Sequence, residues 1–179
     1  RAALKRTYTL GVKLLVVIAL PLAVAFTFMA ETLTLILGGE EYLPVGAIAL
    51  QLMIWSIPIG WINSLTQYAL IAVDLQRRIT GVFAVAVTFN IVSNLLLIPQ
   101  YSYQAAAITT IFSEMVLLVP FAMLMQSALG KLDWAGMIWK PAASAALMFA
   151  ACGVLWPGIS VLSIFVGGGV YVVVLLALS

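Results

Sequence analysis

The chain contains no histidine and one cysteine, Cys152, set within an apolar stretch. A disulfide within the chain is therefore excluded, as is a Cys/His metal cluster, and His is absent as a general base. Charge is equally scarce. Only 8% of the 179 residues are charged, against about 25% in soluble domains. What fills the space is apolar: 65% of the chain, with a mean hydropathy of +1.20. A soluble fold built from this material would lack the polar surface to stay dissolved, so the composition points to an integral membrane protein. No feature points to nucleic acid, a cofactor or a metal.

The first residue is Arg1 rather than Met, and the last residues, "VYVVVLLALS", stop inside an apolar run. The chain is expected to be a piece of a longer protein. Six apolar runs are long enough to cross a bilayer, at 12–36, 44–72, 78–98, 104–126, 138–156 and 159–178. They lack the two-residue alternation of barrel strands, so the expected fold is all-α with six transmembrane helices. Between them lie "LGGEEYLP", "DLQRR", "IPQYSYQ", "GKLDWAGMIWK" and "WPGIS", rich in Gly, Pro and charge.

The cations fix an orientation. All eight, at Arg1, Lys5, Arg6, Lys13, Arg77, Arg78, Lys131 and Lys140, fall on one side of a six-span arrangement. By the positive-inside rule the N-terminal end, 73–78 and 127–138 are cytoplasmic, while 37–43, 99–103 and 157–158 face out. Trp134, Trp139 and Trp156 sit near span ends, where they suit interfacial anchoring. Arg77 and Arg78 suit a topology signal or contact with anionic lipid headgroups.

Polar side chains inside the runs are the candidates for function. Asn63 and Gln67 are four apart, as are Asn90 and Asn94, so each pair shares a helix face. The 98–104 connection makes runs three and four an antiparallel hairpin centred near residue 102. Asn90 and Glu114 lie equally far from that centre, about 18 Å along each helix. Counting around the other turn brings Asn63 beside Thr88. A polar layer of Asn63, Thr88, Asn90 and Glu114 is expected near mid-membrane. Two roles compete for it. Glu114 could bond Asn90 as helix glue. Alternatively, Glu114 with Asn90, Asn94, Asn63 and Gln67 could line a path for a polar substrate or a coupling cation, since intramembrane acids are costly and mark pathways.

Three stretches carry a resemblance. "KLLVVIALPLAVAFTFMAETLTLILGGEEY", "ALQLMIWSIPIGWINSLTQYALIAVDLQRR" and "NIVSNLLLIPQYSYQAAAITTIFSEMVLL" together resemble the C-terminal half of a polysaccharide-biosynthesis flippase of the O-antigen or exopolysaccharide type. That family belongs to the multidrug/oligosaccharidyl-lipid/polysaccharide exporter superfamily. The likeness spans residues 1–129 and rests on Pro21, on Gly39 to Tyr42, on Gln76 to Arg78, on Asn90 to Pro99, and on Ala106, Ala107, Thr110, Ser113 and Glu114. Where relatives often carry glycine, Ser102 and Ala105 stand here.

The resemblance implies a two-bundle, pseudo-symmetric transporter. Residues 1–129 would give four helices of its C-terminal bundle and 130–179 an additional helix pair, with the N-terminal bundle lying outside this chain as its partner. It implies flipping of a lipid-linked oligosaccharide across the plasma (inner) membrane by alternating access. It also implies basic residues in the cavity for the diphosphate, and none of the eight cations lies deep in a run. A multidrug/cation antiporter or a lipid II flippase of the same superfamily would share the fold. A membrane-embedded polysaccharide polymerase or ligase is the reading from another class. Enzyme chemistry of that kind needs acid/base residues and usually a sizeable outer loop. The outer loops here are short, so no catalytic residue is assigned and a non-enzymatic role is expected.

Overall fold

The computed structural model describes residues 2–155 and 160–178, so Arg1, Trp156 and the 157–158 connection lie outside the described residues. The described chain is helical, with no strand. Helix α1 runs Ala2–Gly38, followed by a 3₁₀ turn at Glu40–Tyr42, then α2 (Val45–Met53), α3 (Ser56–Ile71), α4 (Gln76–Leu129), α5 (Trp134–Leu155) and α6 (Ser160–Leu178). Among the described residues, four stretches, Ala2–Gly38, Val45–Ile71, Gln76–Leu129 and Trp134–Val154, are long and apolar enough to cross a membrane.

The interruptions have local causes. Pro58 has no N–H to offer the Ile54 carbonyl one turn back. Ile57 N–H donates to that carbonyl instead, at 3.2 Å, and the chain tightens between α2 and α3. At the end of α3, Asp74 takes φ 59. Leu75 N–H reaches back to the Leu70 carbonyl and Asp74 N–H to Ile71, both at 3.0 Å. This is the Schellman pattern, with Asp in the left-handed position usually given to Gly.

Helix α4 is two arms. Ser102 has φ 51 and ψ −134, outside helical space. Asn90 Nδ2 nevertheless donates to Ser113 Oγ at 2.8 Å. In a straight helix those residues would be about 35 Å apart, at about 1.5 Å per residue. The arms at 76–101 and 103–129 therefore fold back on each other, and Ser102 makes the reversal.

Helix α1 is the spine, packing along α2, α3, α5 and α6. Its buried residues, Tyr8, Val12, Val16, Ala19 and Ala23, recur at helical spacing and form one stripe. Toward its start, Tyr8 and Val12 join Leu70, Phe121, Met125 and Met137 in one cluster. Toward its end, Val24 joins Met148, Cys152 and Tyr171 in a second. In lipid the hydrophobic effect does not drive helices together, so close packing and interhelical hydrogen bonds hold them. Tyr8 shows both: its hydroxyl bonds Thr66 Oγ1 at 2.8 Å and its ring meets Trp134 edge-on.

Candidate functional site

The polar side chains gather where α3 crosses the second arm of α4. Asn63 is buried, 4% exposed. Its amide nitrogen donates twice to one residue, to Glu114 Oε2 at 2.7 Å and to the Glu114 carbonyl at 2.8 Å. Both amide hydrogens are thereby used, while Asn63 Oδ1 is buried without a hydrogen-bond partner. Glu114 itself is half-buried and borders a cleft of about 290 Å³. Gly60, Asn63 and Gln67 line it from α3, and Phe83, Glu114 and Phe121 from α4. The three α3 residues share one face, being three and four apart.

Gly60 faces the carboxylate across this approach. A Cβ there would stand 3.4 Å from Glu114 Oε1, already at contact. Any longer side chain would take the room beside the carboxylate.

The expected Asn90–Glu114 pair does not form. Successive residues on a helix point about 100° apart. Ser113 therefore looks across the hairpin while Glu114 looks at α3. Asn90 takes Ser113, and Asn63 takes Glu114. Ser113 Oγ donates in turn to the Thr109 carbonyl at 2.8 Å, and Asn94 Nδ2 donates to Asn90 Oδ1 at 3.0 Å. Asn90 and Asn94 thus belong to a second network inside the hairpin, next to the cleft but separate from it. That network leaves Asn94 Oδ1 and Thr109 Oγ1 buried and unpartnered.

Thr88 does not join either group. It is exposed, and its hydroxyl folds back onto the Ala84 carbonyl at 2.8 Å. Gln67 lies on the cleft wall, one turn from Asn63. Arg77 and Arg78 are exposed at the start of α4, about 8–9 Å of helical rise from Phe83, and do not line the cleft.

One residue beside the carboxylate is not among the sequence candidates. Gly60 could have been found from its place one turn before Asn63, where a small residue opens a helix face.

Chemically, the cleft offers a carboxylate held by the Asn63 amide, with the Gln67 amide on the same wall. Among the described residues, no group of three or more His, Cys, Asp or Glu comes together. Compared with known proteins, the chain matches no family model, no curated protein and no solved structure.

Proposed function

We propose that the chain is part of a membrane flippase that carries a lipid-linked oligosaccharide across the plasma (inner) membrane by alternating access. The six spans of this reading are α1, the α2–α3 pair, the two arms of α4, α5 and α6. The first four form most of one bundle, over residues 1–129. Residues 130–179 form an added pair, and a further bundle completes the cavity. The N-terminal end lies in the cytoplasm.

The observation that carries this reading is the Glu114–Asn63 cleft. An acid within an apolar helix is expensive unless it serves a path or a partner. Here its single side-chain donor leaves the cleft side of the carboxylate open, with Gln67 alongside. The substrate class comes from the resemblance over residues 1–129. A multidrug/cation antiporter is the second reading, favoured by one feature: the cleft presents acceptor oxygens and no cationic side chain among its lining residues.

The test replaces Glu114 with Cys in a Cys152→Ala background and probes it with a membrane-impermeant thiol reagent in intact cells. Export of the oligosaccharide by Glu114→Gln is measured in parallel. Labelling together with lost export supports the flippase. Full export by Glu114→Gln, with no labelling, would take Glu114 off the path and leave the carboxyl as helix glue; oligosaccharide export that is unchanged when the whole protein is removed would sink the flippase.

A further inference from the structure

One end of the bundle collects an excess of positive charge. The two arms of α4 run antiparallel about Ser102, so its first residues, with Arg77 and Arg78, lie level with its last and with Lys131 beyond them. Lys5 Nζ donates to the Lys131 carbonyl at 2.6 Å, which brings the start of α1 to the same place. Leu75, Leu129 and Leu132 pack on the cluster that holds Tyr8, Leu70 and Ile79, and so tie the three segments together beneath the charges. Five cations, Lys5, Arg6, Arg77, Arg78 and Lys131, thus share one end with two acids, Asp74 and Asp133. Asp133 is already engaged: its Oδ1 accepts the Gly136 N–H at 2.9 Å. The opposite end, around the 3₁₀ turn, holds the exposed acids Glu40 and Glu41.

The height of these cations is the informative feature. On α1, exposed apolar surface begins at Leu10 and continues at Leu14, 57% and 60% exposed. Arg6 lies about 6 Å outside Leu10, from four residues of helical rise. On α4, Val85 is 62% exposed, and Arg78 lies about 10 Å outside it. A bilayer's hydrocarbon is about 30 Å thick and the whole about 40–45 Å, so each headgroup layer spans roughly 5–8 Å. Arg6 therefore stands within the headgroup layer when the apolar surface sits in hydrocarbon, and Arg77 and Arg78 stand just beyond it, with side chains long enough to reach back to the phosphates. Trp139, half exposed and just inside the start of α5, suits the boundary between hydrocarbon and headgroups.

We infer that this end is a binding surface for anionic phospholipid headgroups, formed jointly by the start of α1, the α3–α4 turn and the α4–α5 connection. The phosphates of the bilayer itself, rather than a soluble anion, are its occupant, because the surface is continuous with the lipid-facing side chains. This role differs from setting topology during insertion: it persists in the folded protein and is read by lipid composition.

The full chain, purified in detergent, is titrated with phosphatidylglycerol or with phosphatidylcholine, and binding is followed by native mass spectrometry and thermal unfolding. Each cation near an anionic surface is worth about a fivefold change in affinity. The wild type is expected to prefer phosphatidylglycerol at least about tenfold, with the preference weakening in high salt. Lys5→Gln/Arg6→Gln/Arg77→Gln/Arg78→Gln should abolish that preference. Arg77→Gln/Arg78→Gln should reduce it, and serves if the fourfold variant fails to fold. Glu40→Gln/Glu41→Gln at the other end should leave it unchanged. Equal affinity of the wild type for both lipids overturns the inference. So does a preference that neutralisation of the arginine pair leaves undiminished. Retention of an acidic protein without any lipid preference overturns it as well.

Discussion

Pro21 sits in the middle of α1 and cannot donate to the Val17 carbonyl one turn before it. The structure supplies a donor from 154 residues away. Tyr171 on α6 is 4% exposed, and its hydroxyl donates to Val17 O at 2.7 Å. In lipid there is no water to take over such a carbonyl, so neighbouring helices must satisfy it. Tyr171→Phe removes the donor and little else, leaving the carbonyl unsatisfied. Stranding a buried acceptor costs about 1–3 kcal/mol, and interhelical hydrogen bonds in membranes are worth about 0.6–2 kcal/mol. We therefore expect a loss of about 1 kcal/mol, or about 2–4 °C for a chain of this size.

The informative comparison is made in a Pro21→Ala background. The alanine brings back the N–H that the helix itself would use for Val17 O. Tyr171→Phe should then cost close to nothing, and the double-mutant cycle should show a coupling of about 1 kcal/mol. The assay is built into the chain. Cys152 is its single cysteine, is fully buried, and packs in the same cluster as Tyr171. Its reaction with a fluorogenic maleimide during heating reports the opening of the α1–α5–α6 contact. An equal cost of Tyr171→Phe in the wild type and in the Pro21→Ala background would refute the claim that the hydroxyl exists to satisfy the proline-orphaned carbonyl.

Other substitutions test other joints. Ser102→Gly should stabilise the α4 hairpin by about 1 kcal/mol or more, since φ 51 and ψ −134 suit Gly in a reversal, while Ser102→Val should destabilise it; both are read by thermal unfolding in detergent followed by helix content. A Cβ at Gly167 would fall on Cys152 Sγ, so Gly167→Ala should part α5 from α6, and Cys152→Ala should restore much of the loss, measured by unfolding in detergent. Asn63→Leu removes both donors to Glu114 and should lower stability by about 1–3 kcal/mol, whereas Asn63→Leu with Glu114→Leu should recover it; no recovery would mean that Asn63 is needed for something other than the acid.

The sequence and the structure part company in an orderly way. Distance along a helix is linear in residue number, so depth can be counted. Counting sets Asn90 level with Glu114, and Asn90 bonds the residue next to Glu114. The direction in which each side chain points around its helix cannot be counted in the same way. It depends on which neighbour packs where, and a step of one residue turns the side chain by about 100°. That single step separates Ser113, committed to the hairpin, from Glu114, committed to α3, and so splits one expected layer into two networks. The same limit explains Thr88, whose depth fits the layer but whose face looks outward. The α4 reversal was legible because "IPQYSYQ" interrupts two apolar runs, and Ser102 within it bears the backbone strain where glycine would be at ease.

The donors that satisfy the prolines mark the far limit of such reading. A proline in an apolar run announces that a carbonyl one turn earlier needs a partner, and this much follows from the residue alone. For Ile54 the partner is three residues away and local geometry decides it. For Val17 it is a hydroxyl at the far end of the chain, which only the docking of α6 brings near. Gly60 acts in the same non-local way: its missing side chain matters because of a carboxylate 54 positions later. Need is written locally and supply is written in the packing. The cleft at Glu114 is a place where the two do not close: Asn63 meets the needs of the acid, and its own carbonyl oxygen goes unmet. The hairpin beside it has the same gap at Asn94 Oδ1 and Thr109 Oγ1, so the unmet acceptors follow the crowding of polar side chains between packed helices rather than the cleft alone.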